Sequence, residues 1–218
     1  MDVTAEKIRS YRLRAHHLDH TLPMERMTEA AGVCGLQNSP PGAWETALWV
    51  RSAECTVERL QAALYREKTL LQAWSWRGVP VVFPTDQSGV FLAPLVSEPG
   101  EEPWIYTRGI TLALDAVGMT FQELLPLVEA AAAYLDGHTV KSKEALDQVL
   151  AEQVRERLPP EKHAAWDAPS MYGRPDRQTV GGAAGSFLLR PCSFRGLVVF
   201  GERQGISPPF TSFRRWVG

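Results

Sequence analysis

The chain has 218 residues, 44% of them hydrophobic and 22% charged, with a formal net charge of −2 and a pI near 6.2. That length suits one large domain or two small ones with a real core, and no apolar run approaches the roughly 18–20 residues that a bilayer span needs, which excludes a membrane-spanning segment. The slight acidity excludes a protein that coats DNA indiscriminately, because non-specific binding is mostly phosphate neutralisation.

Ile8, Tyr11, Ala15, Leu18 and Leu22 recur at steps of three and four and predict a first helix with one apolar stripe. The same segment carries Lys7, Arg9, Arg12 and Arg14. His16 and His20 lie one turn apart, a spacing that two ligands of a metal can share. No HExxH and no third suitably spaced ligand accompanies them, so they read as a surface or DNA-facing pair, and neither metal nor cofactor is expected. The opening residues lack the charged-then-apolar layout of a secretion signal. Cys34, Cys55 and Cys192 form no CxxC and no even-numbered framework. They read as buried thiols of a cytoplasmic protein, nucleoid-associated if it binds DNA.

Met24, Met27, Ala31 and Cys34 predict a second helix that stops at Gly35. The segment Gln37-Asn38-Ser39-Pro40-Pro41-Gly42 must be a loop, since its prolines and glycine cannot continue a helix. Trp44 to Arg51 reads as a third helix, and Thr56 caps a further one carrying Leu60, Leu64 and Leu71. Then comes Ser75-Trp76-Arg77-Gly78-Val79-Pro80-Val81-Val82-Phe83, a phrase that returns as Ser193-Phe194-Arg195-Gly196-Leu197-Val198-Val199-Phe200. In both copies a helix is expected to run through Arg-Gly into a short strand, so the two joints should occupy equivalent places. Gly201-Glu202-Arg203-Gln204-Gly205 provides a turn-rich bridge behind the second copy. A helix that stops at glycine and feeds a hairpin closes a winged-helix module, and two occurrences suggest a tandem pair. Two unrelated helix-to-strand joints sharing a few residues are the plainer alternative.

Ser97 to Pro103, acidic and broken by two prolines and a glycine, reads as a surface loop. Thr120-Phe121-Gln122-Glu123 has the spacing of a capping box, Ser142 caps a helix with Leu146, Val149, Leu150 and Val154 inward, and Pro159-Pro160 ends it. Asp167 to Gln178 reads as an ordered loop before a helix opened by Thr179. The glycines and alanines from Gly181 to Ser186 lack the Lys-Ser/Thr ending of a phosphate loop and suit close approach of another helix. From Arg190 onward stand Arg190, Arg195, Arg203, Arg214 and Arg215, opposed only by Glu202. Such a basic stripe fits a site-limited nucleic-acid contact, although solvated arginines near a terminus read the same way. The expected organisation is a first module over 1–96, a linker and bridging segment over 97–118, and a second module over 119–218.

Several separated blocks resemble one family. Gly35-Leu36-Gln37 with Ala43-Trp44-Glu45-Thr46-Ala47-Leu48-Trp49, Leu70-Leu71-Gln72-Ala73-Trp74-Ser75-Trp76-Arg77-Gly78, and Phe187-Leu188-Leu189-Arg190 through Phe200-Gly201 are similar to the winged-helix DNA glycosylases of the AlkZ-like kind. The resemblance implies winged helices around duplex DNA and excision of alkylated or crosslinked bases. It covers two modules where family members have three.

By that resemblance the active site is a Gln-x-Gln or Gln-x-Asp motif in the loop at Gln37. An alkylated purine is already a cationic leaving group, so polar side chains need only position water and stabilise the developing sugar cation. Here the motif reads Gln37-Asn38-Ser39, with a shorter second member and a polar middle residue. Val81 stands where the family often has a hairpin histidine. Two readings of the loop stay open: Gln37 and Ser39 as catalytic groups, or Gln37 and Asn38 as amides that brace the turn.

The sequence therefore predicts a mainly α fold with small β-hairpins, arranged as tandem winged-helix modules on double-stranded DNA. Gln37 and Ser39 are the catalytic candidates. Asn38, Trp76, Arg77, Arg190, Arg195, Arg203, Arg214 and Arg215 are the DNA-binding candidates. A non-enzymatic transcriptional regulator or interaction scaffold is the alternative.

Overall fold

The computed structural model describes residues 2–98, 101, 109–172 and 176–218. The chain is mainly helical with two small antiparallel sheets and divides into two compact units, Met1–Phe91 and Leu92–Gly218.

In the first unit, α1 (Ala5–Ala15) opens at Thr4, whose hydroxyl accepts from the Lys7 amide, and closes at His16. None of its residues is buried, so the predicted stripe of Ile8 and Tyr11 faces solvent and only Leu22, beyond the helix, enters the core. Helix α2 (Met27–Gly32) leads through Gly35, at φ +72, into β1 (Leu36–Gln37). Gly35 is required there, because a Cβ would stand 2.4 Å from a Val81 methyl. After the cis Ser39–Pro40 bond come α3 (Ala43–Trp49) and α4 (Val57–Gln61), the latter capped by Thr56 as expected and extended by a π turn over Ala62–Arg66.

The following segment corrects the sequence reading. Leu70–Trp74 is a strand, β2, not the end of a helix carrying Leu71. It pairs antiparallel with β3 (Pro80–Pro84), with Leu71 opposite Phe83 and Trp74 opposite Pro80, and β1 pairs with the other edge of β3. All five β2 residues are buried. A strand covered on both faces shows no apolar-polar alternation, and pairing overrides the helical leaning of Leu, Gln and Ala. Phe83 stacks on Phe91 at 4.6 Å in α5 (Ser88–Leu92), which ends the unit's core.

In the second unit, α10 (Val180–Phe194) is the central element and packs against α6 (Gly109–Val117), α7 (Phe121–Ala132) and α8 (Lys143–Arg155). The predicted caps form. Thr120 and Glu123 make the reciprocal capping box of α7, Ser142 caps α8, and Thr179 caps α10. Pro159-Pro160 does more than end α8: Pro160 occupies the first turn of α9 (Pro160–Trp166), where its missing N–H costs nothing. The small residues of α10 serve packing. A Cβ on Gly181 would lie 2.2 Å from the Trp166 indole, whose Nε1 donates to the Ala151 carbonyl at 3.0 Å. The segment 97–118, read as linker and bridge, ends in α6, a helix with Ile110, Ala113 and Val117 buried. Most of the acidic stretch Ser97 to Pro103 lies outside the described residues.

Beyond α10, β4 (Val199–Phe200) pairs antiparallel with β5 (Phe210–Thr211), followed by the short α11 (Phe213–Val217). Arg195-Gly196 thus stands at a helix-to-hairpin joint, as expected. Arg77-Gly78 does not. It forms the turn of the β2–β3 hairpin, with Arg77 at φ 56 and Gly78 at φ 66. The repeated phrase therefore marks two non-equivalent places, because the residues preceding the first copy pair as a strand.

Candidate nucleic-acid site

Gln37 is the second residue of β1, opposite Val81 on β3. Strand alternation sends Leu36 into the core and leaves Gln37 exposed. Its Nε2 donates to the Ser39 carbonyl at 3.3 Å, while its Oε1 accepts from Arg77 Nη2 at 3.4 Å. The hairpin turn thus supplies a cation beside the amide. Ser39 is exposed, and only its backbone oxygen engages Gln37. Val81, its cross-strand partner, is 3% exposed and belongs to the core.

Asn38 corrects a sequence expectation. It is 7% exposed, and both of its amide atoms are committed inside the protein. Nδ2 donates to Gln72 Oε1 at 3.1 Å, and Oδ1 accepts from the Gly42 amide at 2.7 Å. Its backbone N–H donates to the Pro80 carbonyl at 2.8 Å, which continues the β1–β3 pairing. Asn38 therefore fixes the loop, with its side chain turned into the protein. A buried glutamine in β2 needs a partner, and Asn38 is that partner.

Trp76 is half-buried beside this loop. Its Nε1 donates to the Cys34 carbonyl at 3.2 Å and its ring meets Phe91 at 5.6 Å, so it braces the hairpin turn. Cys34 is exposed, Cys55 half-buried and Cys192 buried, which corrects the reading of three buried thiols. Cys34 Sγ lies 4.0 Å from His16 Nδ1, and Arg51 Nε donates to the His16 carbonyl at 2.9 Å. His20 is bound to Asp19 at 2.6 Å, not to His16. Among the described residues no three His, Cys, Asp or Glu side chains gather as metal ligands. Trp49, at the end of α3, is 63% exposed, an aromatic that composition alone assigns to the core.

In the second unit the structure gathers part of the predicted basic stripe. The Phe213 amide donates to the Gly196 carbonyl at 2.9 Å, which places Arg195 and Arg214 on either side of one contact although 19 residues separate them in the chain. Arg214 and Arg215 are exposed on α11. Arg195 is held at 2.7 Å by Glu129 of α7, whose own carboxyl is pushed up by burial and drawn back by that arginine. Arg203 is half-buried in the β4–β5 loop, and Ile206 near its tip is 81% exposed. Arg190 is half-buried and lies close enough to Asp147 to stabilise its charge.

A cavity of about 760 Å³ in the same unit is lined by Gln148, Arg155, Trp166, Asp167, Thr179 and Gly182 among others, and contains none of the predicted site residues. Arg155 and Asp167, both in its lining, pair at 2.8 Å. Among the described residues no single helix is long and apolar enough to cross a membrane.

A family model described as "DNA glycosylase AlkZ-like" matches residues 30–218. No curated protein matches the chain. Among solved structures, the chain is similar to the Streptomyces sahachiroi DNA glycosylase AlkZ, with a TM-score of 0.68 and 19% identity over 100% of this chain and 52% of that one. It therefore spans about half the length of the structure it matches, and at this identity the likeness concerns the fold. The match of the family model over most of the chain shows that the protein belongs to the AlkZ-like DNA glycosylase family.

Proposed function

We propose that this chain binds double-stranded DNA through winged-helix-type modules and releases alkylated bases at the loop containing Gln37. The observation that carries the reading is an exposed glutamine on a rigid strand with a guanidinium beside it. The rigidity comes from Asn38, which ties the loop to β2 and to the start of α3.

The chemistry asks little of the protein. The glycosidic bond of an N-alkylated purine breaks, its electron pair leaving with the now neutral base and the positive charge passing to the sugar; water then adds to the sugar carbon and releases a proton to solvent. Gln37 Oε1 accepts a hydrogen bond from that water and faces the developing positive charge, Nε2 offers a donor, and the Ser39 hydroxyl adds a second polar contact. Arg77 holds a phosphate of the extruded nucleotide, which positions the sugar over the loop. In the second unit, Arg195, Arg203, Arg214 and Arg215 contact phosphates of the duplex. The test is release of alkylated purine from duplex DNA by the wild-type chain, with Gln37→Ala as the null control.

One observation favours a second reading. Gln37 Nε2 already donates to the Ser39 carbonyl, so the amide also braces its own turn. A chain that binds duplex DNA but releases no base would be a binding module on this fold.

A further inference from the structure

We propose that α1 is a track for the DNA backbone, leading away from the Gln37 loop and lying outside the part of the chain that the family model matches. The inference rests on the reading that this protein binds duplex DNA.

Helix α1 has no buried residue, so packing does not explain its composition. Within Ala5–Ala15 it carries Lys7, Arg9, Arg12 and Arg14 against Glu6 alone. Lys7 is tied to the Asp2 carbonyl and Arg14 to Asp19 at 3.2 Å. Arg9 and Arg12 are exposed and make no ion pair among the described residues. Spacings of three and four place Arg9, Arg12 and the capping His16 along one stripe. Seven residues at about 1.5 Å each extend this stripe over roughly 10 Å.

The stripe ends at the candidate site. His16 Nδ1 lies 4.0 Å from Cys34 Sγ, the Cys34 carbonyl is held by Trp76, and Gln37 follows three residues later on β1. Arg51 fastens the same corner through the His16 carbonyl. The cations therefore continue outward from the loop that receives the nucleotide. A row of unpaired guanidiniums on a solvated helix complements a row of phosphates. The family model matches from residue 30 onward, so α1 precedes the matched residues.

The test compares wild type with the double variant Arg9→Gln, Arg12→Gln by fluorescence anisotropy on a labelled duplex across a salt series. Two lost phosphate contacts should flatten the slope of log K against log salt by about two units. Arg14→Gln, which removes an already paired cation, should change the slope far less. Thermal unfolding of the double variant should match wild type, since α1 contributes nothing to the core. If wild type binds duplex and the double variant keeps its slope, the track is overturned while DNA binding stands. If wild type binds no duplex, the underlying DNA reading falls and the track falls with it. A parallel arm uses phosphatidylcholine vesicles with and without phosphatidylglycerol. Binding to the anionic vesicles that depends on Arg9 and Arg12, with an unchanged DNA slope, would assign α1 to a membrane surface and overturn the proposal.

Discussion

Arg77 and Gln37 stand 40 residues apart in the chain, and the Arg77 guanidinium donates to the Gln37 side-chain oxygen at 3.4 Å. The contact is longer than an ordinary N–H···O hydrogen bond, so a phosphate can take the guanidinium at small cost. It exists because Arg77 occupies a left-handed turn position at φ 56, at the end of the hairpin whose second strand pairs with β1. Backbone pairing thus brings an exposed amide and a guanidinium together from distant parts of the chain.

Gln37→Ala should lower base release by about 10²–10³-fold, the cost of removing one preorganised polar contact from a transition state. Being exposed, the same side chain should change stability by no more than about 0.5 kcal/mol. Ser39→Gln, which restores the longer polar side chain of the family motif, should raise the rate. Single-turnover release from alkylated duplex, paired with thermal unfolding, separates the outcomes. A large fall in melting temperature with no wild-type base release would make Gln37 a loop brace.

Asn38→Ala should behave in the opposite way. It strips partners from the buried Gln72 amide and from the Gly42 N–H, and each buried polar group left unsatisfied costs about 1–3 kcal/mol. A melting temperature lowered by several degrees is expected, since each kcal/mol is worth about 2–4 °C at this chain length. Asn38→Asp should recover the Gly42 contact and lose the Gln72 one. An Asn38→Ala protein as stable as wild type, but defective in binding, would return this residue to the DNA interface.

The C-terminal arginines should divide by their partners. Arg215→Glu removes a cation with no ion pair among the described residues, so it should flatten the salt slope of duplex binding by roughly one unit per lost contact and leave folding intact. Arg195→Glu sets a carboxylate against Glu129, which is already disfavoured as an anion by burial, and should destabilise the second unit as well. Equal unfolding midpoints for the two variants would show that the Glu129 pair carries no weight in solution.

Asp147 gives a pH signature. Burial pushes its carboxyl above 3.8, opposed by Lys143, Ser186 and Arg190. A folded state that raises an acid's pKa holds the proton more tightly than the unfolded chain does. The group therefore costs nothing below 3.8 and penalises the native state progressively as pH rises through the raised value. Asp147→Asn removes that dependence. Its stability relative to wild type, from urea unfolding across pH, should be greater at neutral pH than at pH about 3.8, where the carboxyl is protonated. A gain that shrinks as pH rises would mean that Lys143 outweighs burial.

The helices of the second unit were legible in the chain because their signals are local. Thr120 with Glu123, Ser142 and Thr179 each satisfy amides within three residues of themselves, so cap chemistry alone locates those termini. Family membership was legible too, through blocks such as Gly35-Leu36-Gln37 and Leu70 to Gly78, and so was the mainly α fold class. What the sequence could not decide depends on partners distant along the chain. Leu70–Trp74 became a strand only through pairing with β3, and that pairing turned the first Arg-Gly into a hairpin turn. Asn38 went inside because Gln72, 34 residues away, needed its amide, whereas Gln37 next to it stayed outside by strand alternation. The apolar stripe of α1 reads as a core face by period, yet none of the helix's residues is buried, because periodicity fixes which residues share a face and only tertiary contacts decide how far that face is covered.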